Sequence, residues 1–153
     1  MKNNLIKILV ICFVMVLAAA CKEHGEIIVS QNKNKISFSL TNLDTSGAGT
    51  NSYLLYSIGV TRIDCERDCI MWEMMRDKKY YDSYEHALTS AIFEYGFKPE
   101  AMYNLVEPVA LTAGKYTVIV NAALLKNNKL IRSNVLSKQF ALIKKGDRFL
   151  LAE

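Results

Sequence analysis

From Lys115 onward the chain spells out paired strands, and no other stretch constrains the fold as much. Tyr116, Val118 and Val120 alternate with Thr117, Ile119 and Asn121 within Lys115–Leu125, the two-residue period of a strand with one buried face. Asn127-Asn128 predicts a hairpin turn, because asparagine tolerates positive φ. Leu130–Ile143 returns as a long strand with a break expected near Ser133-Asn134, and Lys145-Gly146-Asp147 turns into a last strand, Arg148–Leu151. Upstream, Glu26–Gln31 and Lys35–Thr41 read as strands, the second with Ile36, Phe38 and Leu40 on one face. Asn42–Asn51 is a loop by composition, and Ser52–Ile63 is a strand in which Gly59 marks a bulge. Ile70–Met75 is another strand and carries the single tryptophan, Trp72, as a core residue. A short helix over Ser83–Ala91 and a strand over Ala91–Tyr95 fit the next stretch equally well. The sum is an all-β, antiparallel sandwich of about seven or eight strands, with room for one short helix.

Met1–Cys21 stands apart from this pattern. Lys2 and Lys7 precede an uncharged apolar run, Ile8–Leu17, and Ala18-Ala19-Ala20-Cys21 closes it, the order of a secretion signal ending in a lipobox-like cysteine. The run is about half of the ~20 residues that cross a bilayer, so removal fits better than a permanent anchor helix. Lipoprotein processing and ordinary signal cleavage at Ala18-x-Ala20 both cut before Cys21. Cysteine parity favours lipidation: of the four cysteines, Cys12 leaves with the signal, and a lipidated Cys21 leaves Cys65 and Cys69 as an even pair. The expected layout is a cleaved signal over residues 1–20, a lipid-anchored tether over 21–25 and one domain over 26–153. The expected address is the periplasmic face of the envelope, held to the membrane through lipid on Cys21.

With Lys2 and Lys7 gone, 17 basic residues face 15 acidic ones, a balance that gives no reason to expect nucleic acid as a partner. Metal is not expected, because zinc needs about four ligands and only His24, His86 and the two cysteines are on offer. No cofactor motif occurs. Asp82, Ser83 and His86 contain the letters of a hydrolytic triad, but such groups converge from separate elements, so no catalytic residue is assigned. Cys65-Glu66-Arg67-Asp68-Cys69 joins two strands by a short loop, a spacing that suits a disulfide clamp and would make Arg67 a rigid, charged partner contact. Tyr80, Tyr81 and Tyr84 beside Lys78-Lys79 either pack on the sandwich or serve a partner, since tyrosine combines contact area with a polar tip.

Two resemblances extend these readings. LTAGKYTVIV, Leu111–Val120, resembles the turn and strand of immunoglobulin-like sandwiches in which an early tyrosine closes a corner. An ordered series then resembles the type VI secretion immunity periplasmic lipoproteins, small enterobacterial lipoproteins. It runs from Cys21 through ISFSL at Ile36–Leu40, YLLYSIGVTR at Tyr53–Arg62 and MWEM at Met71–Met74. FEYGFKP at Phe93–Pro99 and LTAGKYTV at Leu111–Val118 complete it. The resemblance implies a non-enzymatic protein that neutralises a toxic effector, with a protein toxin as partner and, from Lys22 after the lipidated cysteine, outer-membrane sorting. It carries over no catalytic residue. A structural or accessory envelope lipoprotein is the alternative, and a neighbouring effector gene would separate the two.

Overall fold

A computed structural model of the chain describes residues 25–41, 51–66 and 69–152. The signal, Cys21, most of the tether, residues 42–50 of the loop expected over 42–51, Arg67 and Asp68 lie outside the described residues, and Asn51 already opens a strand.

Among the described residues nine antiparallel strands form two sheets: β1 (Glu26–Asn32), β2 (Lys35–Thr41), β3 (Asn51–Arg62), β4 (Ile70–Arg76), β5 (Ile92–Glu94), β6 (Met102–Val106), β7 (Gly114–Lys126), β8 (Lys129–Lys145) and β9 (Arg148–Leu151). The smaller sheet has the order β1-β2-β5 and the larger β6-β4-β3-β7-β8-β9. Taken without β6 and β9, this is the immunoglobulin-type arrangement: the first, second and fifth strands face a sheet whose centre pairs the third with the seventh. The β6 strand escaped the sequence reading and takes the count one above the expected eight.

The alternating apolar positions meet where the period predicts. Ile27, Ile36, Phe38 and Phe93 from the smaller sheet join Ile58, Val60, Trp72, Met74, Tyr116, Val118 and Val120 from the larger in one buried cluster. Phe38 lies 5.9 Å from Phe140, and Tyr116 stacks on Phe140 at 5.3 Å. Such aromatic pairs contribute about 0.5–1.5 kcal/mol each beyond their burial.

Three local expectations change. No helix forms over Ser83–Ala91; the short helix is a 3₁₀ turn at Lys78–Tyr80, and Ile92–Glu94 is a strand. The sparse apolar residues of 83–91 cannot build a helical face, and Leu88 instead bridges to Tyr53 at the edge of β3. Strand β8 runs unbroken through Ser133-Asn134; its extra residue is Ile131, between the pairs Leu124–Arg132 and Leu125–Leu130. Gly59 pairs regularly with both Glu73 and Ile119, and the bulge sits at Tyr56, between Leu55 and Ser57. Asn127 and Asn128 do take positive φ, 51° and 59°, and turn the long β7–β8 hairpin as expected.

Candidate functional site

Strand β3 measures the distance between the two nominated surfaces. Its Arg62 amide donates to the carbonyl of Cys69, beside the clamp, while Tyr53 pairs with Leu88 beyond the tyrosine-rich stretch. Nine residues at ~3.3 Å each put about 30 Å between these levels. Tyr81 packs on Tyr56 at 5.8 Å, six residues or about 20 Å from Arg62, so the clamp and the tyrosines lie toward opposite ends of the sandwich.

At the first end Cys65 and Cys69 are joined as a disulfide with their Cα atoms 6.4 Å apart. The strands stop at Arg62 and Ile70, so the bond closes the tip beyond the sheet ladder rather than within it. Arg62 braces the base of this tip. Its Nε donates to Asp64 Oδ1 at 2.6 Å, Nη1 to Thr112 Oγ1 at 3.1 Å and Nη2 to the Ala113 carbonyl at 2.9 Å. Asp64 in turn accepts from the Lys115 amide at 3.1 Å, and the guanidinium beside it holds its carboxyl below the usual carboxylate range. A Cβ on Gly114 would sit 2.8 Å from Arg62 Nη2, so the glycine is what lets the guanidinium cross the turn. Tyr116 closes the corner expected of it, donating to the Thr112 carbonyl at 2.8 Å and accepting from the Thr112 amide at 3.1 Å. Arg67 itself lies outside the described residues.

At the second end the chain between β4 and β5 crosses the sheet edge and folds onto the outer face of the larger sheet. There Tyr56 and Ala87 cover a small second cluster, Leu54, Ala123 and Leu125. Arg76 holds this loop. It ends the alternation Trp72, Met74, Arg76, so the two-residue period turns it inward, and it is only 2% exposed. Its Nε donates to the Tyr80 carbonyl at 3.0 Å, and Nη2 donates to those of Ser83 and Glu85 at 3.3 and 2.6 Å. Burial pulls its pKa down, partly offset by Tyr56 and Tyr80. Asp77 starts the loop by accepting from the Lys79 amide at 3.0 Å.

The three tyrosines divide. Tyr80 packs edge-on against His86 at 4.8 Å with Lys79 Nζ 4.6 Å from its ring, and is half-buried. Tyr81 and Tyr84 are 39% and 44% exposed, and Tyr81 lines a shallow depression of about 310 Å³ with Met75, Lys78 and Tyr103. His86 lies 3.3 Å from Glu100, not against Ser83 or Asp82. The organising residues, Arg76 and Arg62, were missed by the sequence reading. The inward register of Arg76 was the available signal; the reach of Arg62 across 51 residues left none.

A third feature shares the clamp's end. A cleft of about 430 Å³ opens between the turns β1–β2 and β8–β9, with Ile36, Tyr95, Leu111, Leu142 and Phe149 in its wall. The Gln31 amide sets its shape, donating to the carbonyls of Lys33 at 3.1 Å and Phe149 at 2.8 Å and accepting from the Leu151 amide at 2.7 Å. It thereby serves β9 as a missing strand partner would. Among the described residues no three His, Cys, Asp or Glu side chains converge as a metal-binding set.

Comparison with protein-family models, with curated proteins and with solved structures found no match for this chain.

Proposed function

We propose that this chain is a lipid-anchored protein of the periplasmic face of the envelope whose sandwich binds and neutralises a type VI secretion effector. The supporting observation is one of direction. Strand β1 starts at Glu26, five residues after Cys21, and runs to Gln31, whose side chain bonds to β9 at the level where Gly114 pairs with Leu142. The clamp is at that same level, because the Ile63 amide donates to the Lys115 carbonyl. A chain held at Cys21 thus leaves the membrane at one end and presents its cross-linked, braced tip at the other. That is the geometry a tethered neutraliser needs: a rigid surface loses little entropy on binding. Lys22 after the anchored cysteine suits the outer membrane. A protein toxin is the partner this reading expects, through an interface of about 1,200–2,000 Å².

Competition between a deletion strain and its isogenic parent tests the function. The reading expects the deletion strain to be killed by siblings with an active secretion apparatus and rescued by the intact gene, but not by a Cys21→Ser gene. Undiminished survival of the deletion strain overturns it. Palmitate labelling that is absent from the wild-type chain would overturn the anchor.

A further inference from the structure

The cleft beside the clamp carries an excess of positive charge that nothing in the fold uses. Its two flanking turns carry five cationic side chains, Lys35 and Arg148 in the lining and Lys33, Lys144 and Lys145 beside it, against the carboxylates of Glu94 and Asp147. Only Lys35 is paired, with Glu94 at 2.8 Å. Lys33, Lys144, Lys145 and Arg148 are exposed and have no acidic partner among the described residues. They are not scattered, because the Gln31 amide ties both turns together. Between them the wall is mostly apolar, with Phe149 and Leu111 half-buried in it.

We infer that this basic cleft is a docking surface for an acidic segment of a partner protein, one that seats an apolar side chain between the two turns. Charge complementarity selects the occupant. A small organic anion would call for buried donors converging on one point, whereas these cations stand on the rim and face solvent. Rim charges of this kind steer an extended acidic surface and set its register. An anionic membrane offers the same charge, but in an anchored chain β1 points the cleft away from the bilayer. That orientation rests on the reading given above; the charge of the cleft does not.

The test uses the full chain in non-ionic detergent and a fluorescent peptide of alternating Asp and Glu with one central Phe. The peptide should bind, weaken as ionic strength rises, and lose at least about tenfold in affinity against the chain carrying Lys33→Glu, Lys144→Glu and Lys145→Glu. Replacing the peptide's Phe by Ala should weaken binding as well. Lys78→Glu with Lys79→Glu, at the other end, should leave it unchanged. All five sites are exposed, so matching thermal unfolding of each variant shows that folding is intact. Equal loss at both ends, no loss in the triple variant, or tighter binding to phosphatidylglycerol vesicles through the same three lysines overturns the inference. Survival of the deletion strain would remove the immunity reading and leave this binding untouched, so the two failures are distinguishable.

Discussion

At the clamp end of the sandwich, several side chains share the task of fixing the loops. Tyr116 ties its own corner, Arg62 spans two loops, Gln31 joins two turns, and Tyr95 reaches the carbonyls of Met71 and Val109 at 2.8 and 2.7 Å. The other end relies on a single guanidinium, Arg76, bonded to three carbonyls of one loop. Both solutions satisfy backbone groups that secondary structure leaves open. They differ in redundancy. A distributed set loses one contact at a time, whereas a single buried hub strands several acceptors at once, so the two ends should fail differently.

The hub gives the largest expected effect. Arg76→Met keeps much of the apolar stem but leaves three part-buried carbonyls without their donor, at about 1–3 kcal/mol for each that water cannot reach. Urea unfolding should show a loss of about 2–4 kcal/mol. Trypsin should also cut at Lys78 and Lys79 well before the rest of the chain. Arg76→Lys should recover only part, since one ammonium cannot copy the planar fork. A loss below about 1 kcal/mol would show that the turn at Asp77 and the one at Ser83, whose Oγ accepts from the Glu85 amide at 3.2 Å, hold the loop unaided, and the contrast between the ends would fail.

How far these ends were legible in the sequence follows the same division. Contacts made within a few residues left a local mark: Tyr116 with Thr112, the asparagine turn and the Cys65–Cys69 spacing were all read correctly. The sandwich was legible too, because burial on one face imposes a period of two. Strand β6 was not, since Met102-Tyr103-Asn104-Leu105-Val106 has apolar residues on both faces and no alternation. Burial does alternate along it, but the outward positions hold apolar Tyr103 and Leu105 and an inward one holds Asn104, so the period never reached the sequence. The tyrosine cluster was visible as composition only; which rings face water depends on Arg76, whose partners lie on a loop with no period.

The clamp comes next in size. Cys65→Ser with Cys69→Ser should cost about 2 kcal/mol on a chain-entropy basis, because the closed loop is very short. Since β3 ends at Arg62 and β4 begins at Ile70, amide exchange should rise at the tip and stay unchanged at Val60 and Trp72. Exchange spreading into β3 and β4 would mean that the Arg62 brace is not independent of the bond. A pH titration probes the same end through Tyr95. Burial pushes its pKa up to about 12 from 10.0. Its neutral form is therefore favoured by folding, and the stability it contributes is full below pH 10 and lost as pH rises through about 12. The phenolate would also face two carbonyl oxygens. Tyr95→Phe should be slightly less stable at neutral pH yet lose less between pH 10 and 12; parallel curves would show that Tyr95 is not the group responsible.

The smallest effect is expected at the first residue of the sandwich. Glu26 at the start of β1 pairs with Lys138 of β8 at 3.1 Å, across the gap between the two sheets, but both side chains are about half exposed. Exposed pairs of this kind contribute about 0–1 kcal/mol, and less as salt rises. Glu26→Gln should therefore shift the unfolding midpoint barely, and by an amount that vanishes at high ionic strength. The value of the measurement lies in its contrast with Gln31, five residues along the same strand. There an uncharged amide makes three hydrogen bonds, and Gln31→Ala should cost several times more than Glu26→Gln at every salt concentration. If the two substitutions cost the same, β1 is held to the larger sheet by packing alone. If Glu26→Gln costs more, the strand is fixed at its Glu26 end, and the more firmly held end of β1 has been assigned the wrong way round.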